Sequence, residues 1–187
     1  MTTATNTLER VDPAQLARLH IALEGAAARD GLLDGAYRTV DSPVGSLLVA
    51  ATPRGIVRVA FAREDHDAVL ESLAARLGSR ILKMSSPQGV GGELDAAARE
   101  LEEYFSGHRT AFDLPLDLSL SKGFRRDVLD HLREIGYGHT ESYAEVAAAS
   151  GSPRAVRAVG SACATNPLPV IVPCHRVLRS DGSLGGY

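Results

Sequence analysis

Cysteine is scarce in this 187-residue sequence: only Cys163 and Cys174 occur, they form no CxxC pair, and no histidines cluster at ligand spacing. A structural zinc site is therefore not the basis of the fold, and no metal is expected. No run approaches the roughly 20 consecutive apolar residues that span a bilayer, and the opening MTTATNTLERVD lacks a basic head followed by an apolar stretch. The expectation is a cytoplasmic protein, off the membrane, carrying two thiols rather than a disulfide. A basic excess is missing too, since the formal charge is −3. Net charge hides a local asymmetry, however. Acidic residues crowd positions 93–103, whereas 150–179 hold Arg154, Arg157, Arg176 and Arg179 without one carboxylate. That second segment is suited to phosphate.

Internal repeats are also absent, and the short alanine runs are helix formers rather than low-complexity tracts. Leu16, Leu19 and Leu23 recur at helical spacing and predict an amphipathic helix within residues 13–33. The pattern then changes to alternation over 37–41, 46–51 and 56–61. These segments are divided by Ser42-Pro43-Val44-Gly45 and Thr52-Pro53-Arg54-Gly55, which have Pro and Gly where type I turns prefer them. Three antiparallel strands are predicted. Helical periodicity resumes at 65–77 and 94–105, with a glycine-containing stretch at 85–92 between them. Residues 112–118 alternate apolar residues with Asp, but Pro115 rules out a central strand, so the segment is expected to be an extended linker.

Beyond the linker, Phe124, Val128, Leu129, Leu132 and Ile135 mark a helix that Ser121 is expected to cap. Ser142-Tyr143-Ala144-Glu145 fits a capping box at the start of the next helix, which should end near Ser150-Gly151. Ser152-Pro153 should restart a further helix at once, with Ser as N-cap. On that helix Val156 and Val159 are expected to face the core, leaving Arg154, Arg157, Ala158, Ser161 and Thr165 outward. Major-groove readers carry long hydrogen-bonding side chains at several positions. This face is mostly small, which allows the close backbone approach that a minor groove demands. The alternative is a packed helix with a solvated arginine and no nucleic acid.

The most informative stretch is Asn166-Pro167-Leu168-Pro169-Val170-Ile171-Val172-Pro173-Cys174-His175-Arg176-Val177. Its proline-bounded apolar run at 168–172 predicts a short buried extended segment that holds Cys174 in a fixed place. An unperturbed thiol with a pKa of about 8.5 is only about 3% thiolate at pH 7, so a nucleophilic cysteine needs a proton acceptor nearby. His175 is adjacent. Neighbours on an extended chain point to opposite faces, so the expected route between them is a bridging water. An isolated buried cysteine is otherwise an inert core residue.

The ordered combination of a helix-turn-helix, Asn166-Pro167, the proline-bounded run and Pro173-Cys174-His175-Arg176-Val177 closely resembles the methylated-DNA–protein-cysteine methyltransferases, or O6-alkylguanine-DNA alkyltransferases. The similarity runs from Ile135-Gly136-Tyr137-Gly138 through Arg157-Ala158-Val159-Gly160 to Gly186-Tyr187, and the 37–61 strands resemble the family's opening. The fold so implied is of the α/β class. A small α+β N-terminal lobe, with a three-stranded antiparallel sheet and helices, precedes a mostly helical C-terminal lobe with a helix-turn-helix. The expected division is a helical extension at 1–34, an α/β lobe at 35–110, a linker at 111–120, and a DNA-binding and alkyl-acceptor lobe at 121–187.

The resemblance implies direct repair of O6-alkylguanine, and of O4-alkylthymine, in double-stranded DNA bound through the minor groove by a monomer without a cofactor. It makes Cys174 the acceptor, His175 its proton acceptor through water, and Asn166 the residue ordering the surrounding segment. Tyr143, Val177 and Tyr187 would border the base pocket. Arg157 would replace the rotated base in the stack, with Tyr143, Ala158 and Ser161 also facing DNA. Cys163 would line the pocket and Arg176 would hold neighbouring segments together. Family members also have a final helix whose glutamate partners the histidine. No residue of this sequence matches that glutamate, and lack of such a partner would weaken activation of Cys174. The competing expectation is a lesion binder of the same fold that accepts no alkyl group. A cysteine-histidine hydrolase finds no oxyanion motif to support it.

Overall fold

A computed structural model describes residues 12–84 and 92–185. Helix α1 (Pro13–Arg29) leads into strands β1 (Gly35–Val40), β2 (Leu47–Thr52) and β3 (Gly55–Phe61). Helix α2 (His66–Leu77), strand β4 (Ile81–Lys83) and helix α3 (Gly92–Phe105) complete the first lobe. The second contains helix α4 (Phe124–Leu132), strand β5 (Glu141–Ser142), helices α5 (Tyr143–Ala149) and α6 (Val156–Ala164), and strand β6 (Val177–Leu178).

The sheet order is β3-β2-β1-β4, with β1–β2 and β2–β3 antiparallel and β1–β4 parallel. The three-strand expectation therefore gains a fourth strand and the sheet is mixed. At three residues, β4 is too short for a period of two to show in sequence. Strand β2 is buried along its whole length because both faces of the sheet are covered. Leu48, Ala50, Val57 and Ala60 pack with Leu73 of α2 on one face. On the other, Leu47, Val49, Ile56 and Val59 join Leu94 and Leu101 of α3 in a core that continues into Leu129, Leu132, Val146, Val159, Leu168 and Val177 of the second lobe. Each fully buried Val or Leu contributes about 1.5–3 kcal/mol, against about 0–1 kcal/mol for an exposed ion pair. That shared apolar core is what holds the two lobes together.

The linker is also bound to the sheet. Pro115 O accepts the Ile56 N–H at 2.8 Å and Ile56 O accepts the Asp117 N–H at 2.8 Å, so residues around Leu116 extend the β3 edge in parallel. Gly55 is required at this junction, because with φ of 133° a Cβ there would lie 2.2 Å from Pro115 O. Buried Asp117 secures the segment by accepting from Thr52 Oγ1 at 2.6 Å and from Arg54.

Several sequence expectations are corrected. In α1, Leu16, Leu19 and Leu23 are more than half exposed (59%, 58% and 53%), while His20, Glu24 and Ala27 face the protein, His20 Nε2 lying 2.9 Å from Lys83 O. The leucine periodicity gives the helix but not its buried side. Ser121 does not cap α4. Gly123 occupies that position with φ of 55°, and buried Ser121 instead ends the preceding turn at Leu118–Leu120. The glycine-containing stretch at 85–92 lies, except for Gly92, outside the described residues.

Candidate active site

The capping box at α5 forms as its sequence predicts. Ser142 Oγ accepts the Glu145 N–H at 3.2 Å, and Glu145 Oε2 accepts the Ser142 N–H at 2.6 Å. These bonds satisfy two backbone donors that the first turn leaves open, and they fix Tyr143 at the first helical position. The helix closes at Gly151 (φ 79°), where the Ser152 N–H reaches Ala147 O at 2.9 Å. Helix α6 does not restart at Ser152-Pro153. An intervening turn, closed by Ala155 N–H to Ser152 O at 2.8 Å, delays it to Val156, and Ala155 is the N-cap.

The outward face of α6 carries Arg157 and Ser161, both exposed, and half-buried Ala158, with Arg154 exposed in the preceding turn. Val156 joins this face at 37% exposure, contrary to its expected place in the core. The later start makes Val156 the first helical residue, and Val159, Ala162 and Cys163 form the buried side. Ser161 and Thr165 turn their hydroxyls back onto the carbonyls of Arg157 and Ser161, at 3.2 and 2.8 Å. What α6 offers outward is thus a smooth surface with Arg157 projecting from it.

Residues 168–172 are not the extended segment expected. They form a turn in which the Val172 N–H meets Leu168 O at 2.8 Å and Val170 takes φ of 73°. A β-branched residue in this region carries roughly 1–3 kcal/mol of strain and persists only where its surroundings hold it. Buried Asn166 does so from within: its Oδ1 accepts the Leu168 N–H and its Nδ2 donates to Val172 O, each at 2.9 Å. Val172 O also accepts the Cys174 N–H at 2.8 Å. A run bounded by two prolines, with a third inside it, is compatible with strand or turn, and these side-chain bonds favour the turn.

Cys174 and His175 lie on a single 3-10 turn, Cys174–Arg176, rather than on an extended chain. Cys174 is buried and His175 is exposed. Protein around the imidazole, then the neighbouring Arg176 cation, hold its pKa below the ordinary range, which favours the neutral ring. Tyr104 Oη lies 3.4 Å from His175 Nε2. Arg176 donates to Ile135 O and its guanidinium lies 5.7 Å from the Tyr137 ring centroid, tying the turn to the end of α4. On the side facing the first lobe, Cys174 and His175 line an apolar cavity of about 350 Å³ with Phe61, Tyr104, Pro169 and Val170.

Half-buried Tyr143 approaches both thiols. Burial, then the proximity of Cys163 and of Cys174, raise its pKa, so the phenol remains a hydrogen-bond donor. Its Oη packs so tightly on Gly185 that a Cβ there would lie 2.0 Å away. Leu184 is brought there by its antiparallel bridge to Leu178. Val177 is fully buried and pairs with Glu141 in the parallel β5–β6 ladder, so the strand after the cysteine turn is locked to the one before Tyr143. Burial, then the proximity of Cys174, push Cys163 up to about 12. Sequence reasoning places Cys174, His175, Asn166, Tyr143 and Val177 together and the structure gathers them. Arg157, Ala158 and Ser161 sit on the separate outer face of α6, and Tyr187 lies outside the described residues. Tyr104 was missed, since a helical aromatic residue 70 positions upstream carries no local signal.

Among the described residues no group of three or more His, Cys, Asp or Glu is arranged to hold a metal, and no helix is long and apolar enough to cross a membrane.

The family model for the 6-O-methylguanine DNA methyltransferase DNA binding domain matches residues 123–187, and that for the ribonuclease-like domain of the same proteins matches residues 36–118. The constitutive methylated-DNA–protein-cysteine methyltransferase of Bacillus subtilis (strain 168) is 39% identical over 153 residues, covering 81% of this chain and 85% of its own. Its counterpart from Mycolicibacterium paratuberculosis is 38% identical over 81% of this chain and 82% of its own. The O6-methylguanine methyltransferase of Mycobacterium tuberculosis superposes with a TM-score of 0.68 at 35% identity, covering 82% of this chain and 84% of that one. The Mycobacterium tuberculosis protein in complex with DNA gives 0.66 at the same identity, covering 81% and 83%. Through both of its halves, the chain belongs to the methylated-DNA–protein-cysteine methyltransferase family.

Proposed function

We propose that this protein repairs O6-alkylguanine in double-stranded DNA by moving the alkyl group irreversibly onto Cys174, once per molecule. The observation that carries the reading is the placement of Cys174. It is a buried thiol on a tight turn with a neutral-leaning imidazole next in the chain, and a half-buried phenol stands close by. The relatives named above are methylated-DNA–protein-cysteine methyltransferases, and the Mycobacterium tuberculosis protein has been solved with DNA.

In this reading α6 enters the minor groove, where Ala158 and Ser161 permit close approach and Arg157 fills the gap left by the extruded nucleotide. Unstacking costs a few kcal/mol, which the guanidinium partly offsets by stacking and hydrogen bonding. Tyr143 borders the base pocket and assists rotation of the nucleotide, and the backbone at Val177 meets the guanine edge. His175 takes the thiol proton through a water. The Cys174 thiolate attacks the alkyl carbon, the S–C bond forms as the C–O6 bond breaks, and the departing guanine regains a proton from solvent. The resulting thioether is stable to water, so the molecule is spent. O4-alkylthymine, with its alkyl group also on an exocyclic oxygen, is the second substrate. Of the two buried thiols Cys163 is the poorer nucleophile, for a pKa of about 12 leaves roughly one part in 10⁵ as thiolate at pH 7.

The proposed division of labour gives 121–187 the DNA contact and the chemistry, 35–110 their support through the linker at 111–120, and 1–34 the status of a helical extension. Action as a monomer is part of the same proposal. The two thiols suit the reducing cytoplasm. Weighing the intact protein after incubation with excess O6-methylguanine duplex tests the reading. One added methyl group per molecule is expected; an unchanged mass supports a non-catalytic lesion binder, and repeated turnover without mass gain excludes a suicide mechanism.

A further inference from the structure

The cysteine turn is gripped from the first lobe as well as by Asn166. Strand β3 is the edge of its sheet, and the Val59 N–H on that edge donates to Pro167 O at 2.8 Å. The preceding side chain reinforces this contact. Arg58 Nη1 lies 3.3 Å from Pro167 O and 3.5 Å from Asn166 O, bonding the two carbonyls with one nitrogen. Its other terminal nitrogen pairs with Glu64. Glu64 is itself fixed, since its Oε1 accepts the Phe61 N–H at 2.9 Å. The Arg58 side chain is only 17% exposed, so this is an ordered, largely desolvated contact rather than a mobile surface charge.

From this grip a continuous path reaches the acceptor. Pro167 is bonded to Asn166, Asn166 Nδ2 donates to Val172 O, and Val172 O accepts the N–H of Cys174. The turn being held contains Val170 at φ 73°, a conformation that relaxes unless both ends of the turn are fixed. We propose that Arg58, oriented by Glu64, is a positioning residue for alkyl transfer: it holds the Asn166–Pro167 carbonyls and thereby the turn that presents Cys174. The first lobe then supports the reaction through the turn that carries the acceptor. In-line displacement is sensitive to the placement of the attacking atom, and a misplacement of about 1 Å costs on the order of 10²-fold in rate. Slackening one of two grips should cost less than that.

The inference rests on Cys174 being the acceptor, and the experiment separates the two claims. Single-turnover rates are measured against rising concentrations of free O6-benzylguanine for wild type, Arg58→Met, Arg58→Lys and Glu64→Gln, with Cys174→Ser as control. Cooperative unfolding and affinity for lesion duplex are recorded for each. Reaction in the Cys174→Ser protein removes the underlying reading and leaves Arg58 without a role. If that control is silent, Arg58→Met should lower the maximal rate about tenfold while half-saturation and duplex affinity stay within about twofold of wild type. Arg58→Lys, which keeps a donor and the charge, should recover part of the loss. An unchanged maximal rate in folded Arg58→Met overturns the proposal, as does a loss confined to half-saturation. Should Arg58→Met fail to fold, Glu64→Gln decides: a rate lowered about threefold at unchanged half-saturation is expected, and a wild-type rate overturns the proposal.

Discussion

At the residue scale, the chemistry turns on which of two buried thiols can lose its proton. Both are buried, at 6% exposure for Cys163 and 5% for Cys174. They differ in their neighbours. Cys163 lies on the inner face of α6 and is held protonated, whereas Cys174 shares a turn with an imidazole. The protein around His175 and the Arg176 charge disfavour the imidazolium, so the ring stays a proton acceptor to a lower pH than an ordinary histidine, whose pKa is about 6.5. The transfer rate should therefore hold as pH falls through about 6.5 and decline only below it, as His175 becomes protonated. Single-turnover rates on free O6-benzylguanine, where DNA binding does not intervene, measure this. An acidic limb centred at or above the ordinary imidazole value contradicts the assignment. The Pro-Cys-His-Arg sequence made this chemistry legible. The turn that carries it was not, because the bonds from Asn166 that select turn over strand depend on tertiary placement.

At the scale of elements, sequence was a good guide wherever one local interaction decides. The capping box of α5 and the turns at Ser42–Gly45 and Thr52–Gly55 each rest on residues within four positions of one another, and each forms. It was a poor guide where rival caps compete, as at Ser121 and Gly123 before α4, or where a neighbouring turn sets the helix start, as at Ala155 before α6. The linker belongs to this scale as well. Burial raises the Asp117 pKa, but bonds from Thr52, Ser119 and Arg54 outweigh it, and the net position is below the ordinary carboxylate value. A pKa lower in the folded than in the unfolded chain gives stability that is present above the unfolded value and lost as pH falls through the folded one. Asp117→Asn should accordingly lose about 1–3 kcal/mol near neutrality, with the difference from wild type closing in acid. Urea unfolding of both proteins at neutral and acidic pH tests this, and a deficit that does not vary with pH contradicts it.

At the scale of the whole molecule, two lobes were legible from the change of hydrophobic period, but not the way they are joined. One apolar core runs from the sheet through α3 into α4, α5 and α6, and the β3 edge binds both the linker and the Asn166–Pro167 turn. Neither has a sequence signature, since each contact joins segments about 60 to 110 residues apart. The parallel strand β4 escaped because its three residues are too few to show a period of two. The resulting arrangement sets the acceptor behind the smooth face of α6 and braces it from the sheet. Its central claim is that Cys174, and not Cys163, receives the alkyl group. Digesting the protein after reaction with an O6-methylguanine duplex and locating the added methyl group by peptide mass spectrometry tests this directly. The account predicts the modification on the peptide containing Cys174 alone, with the Cys163 peptide unmodified; a methyl group on Cys163, or on any other residue in place of Cys174, would contradict it.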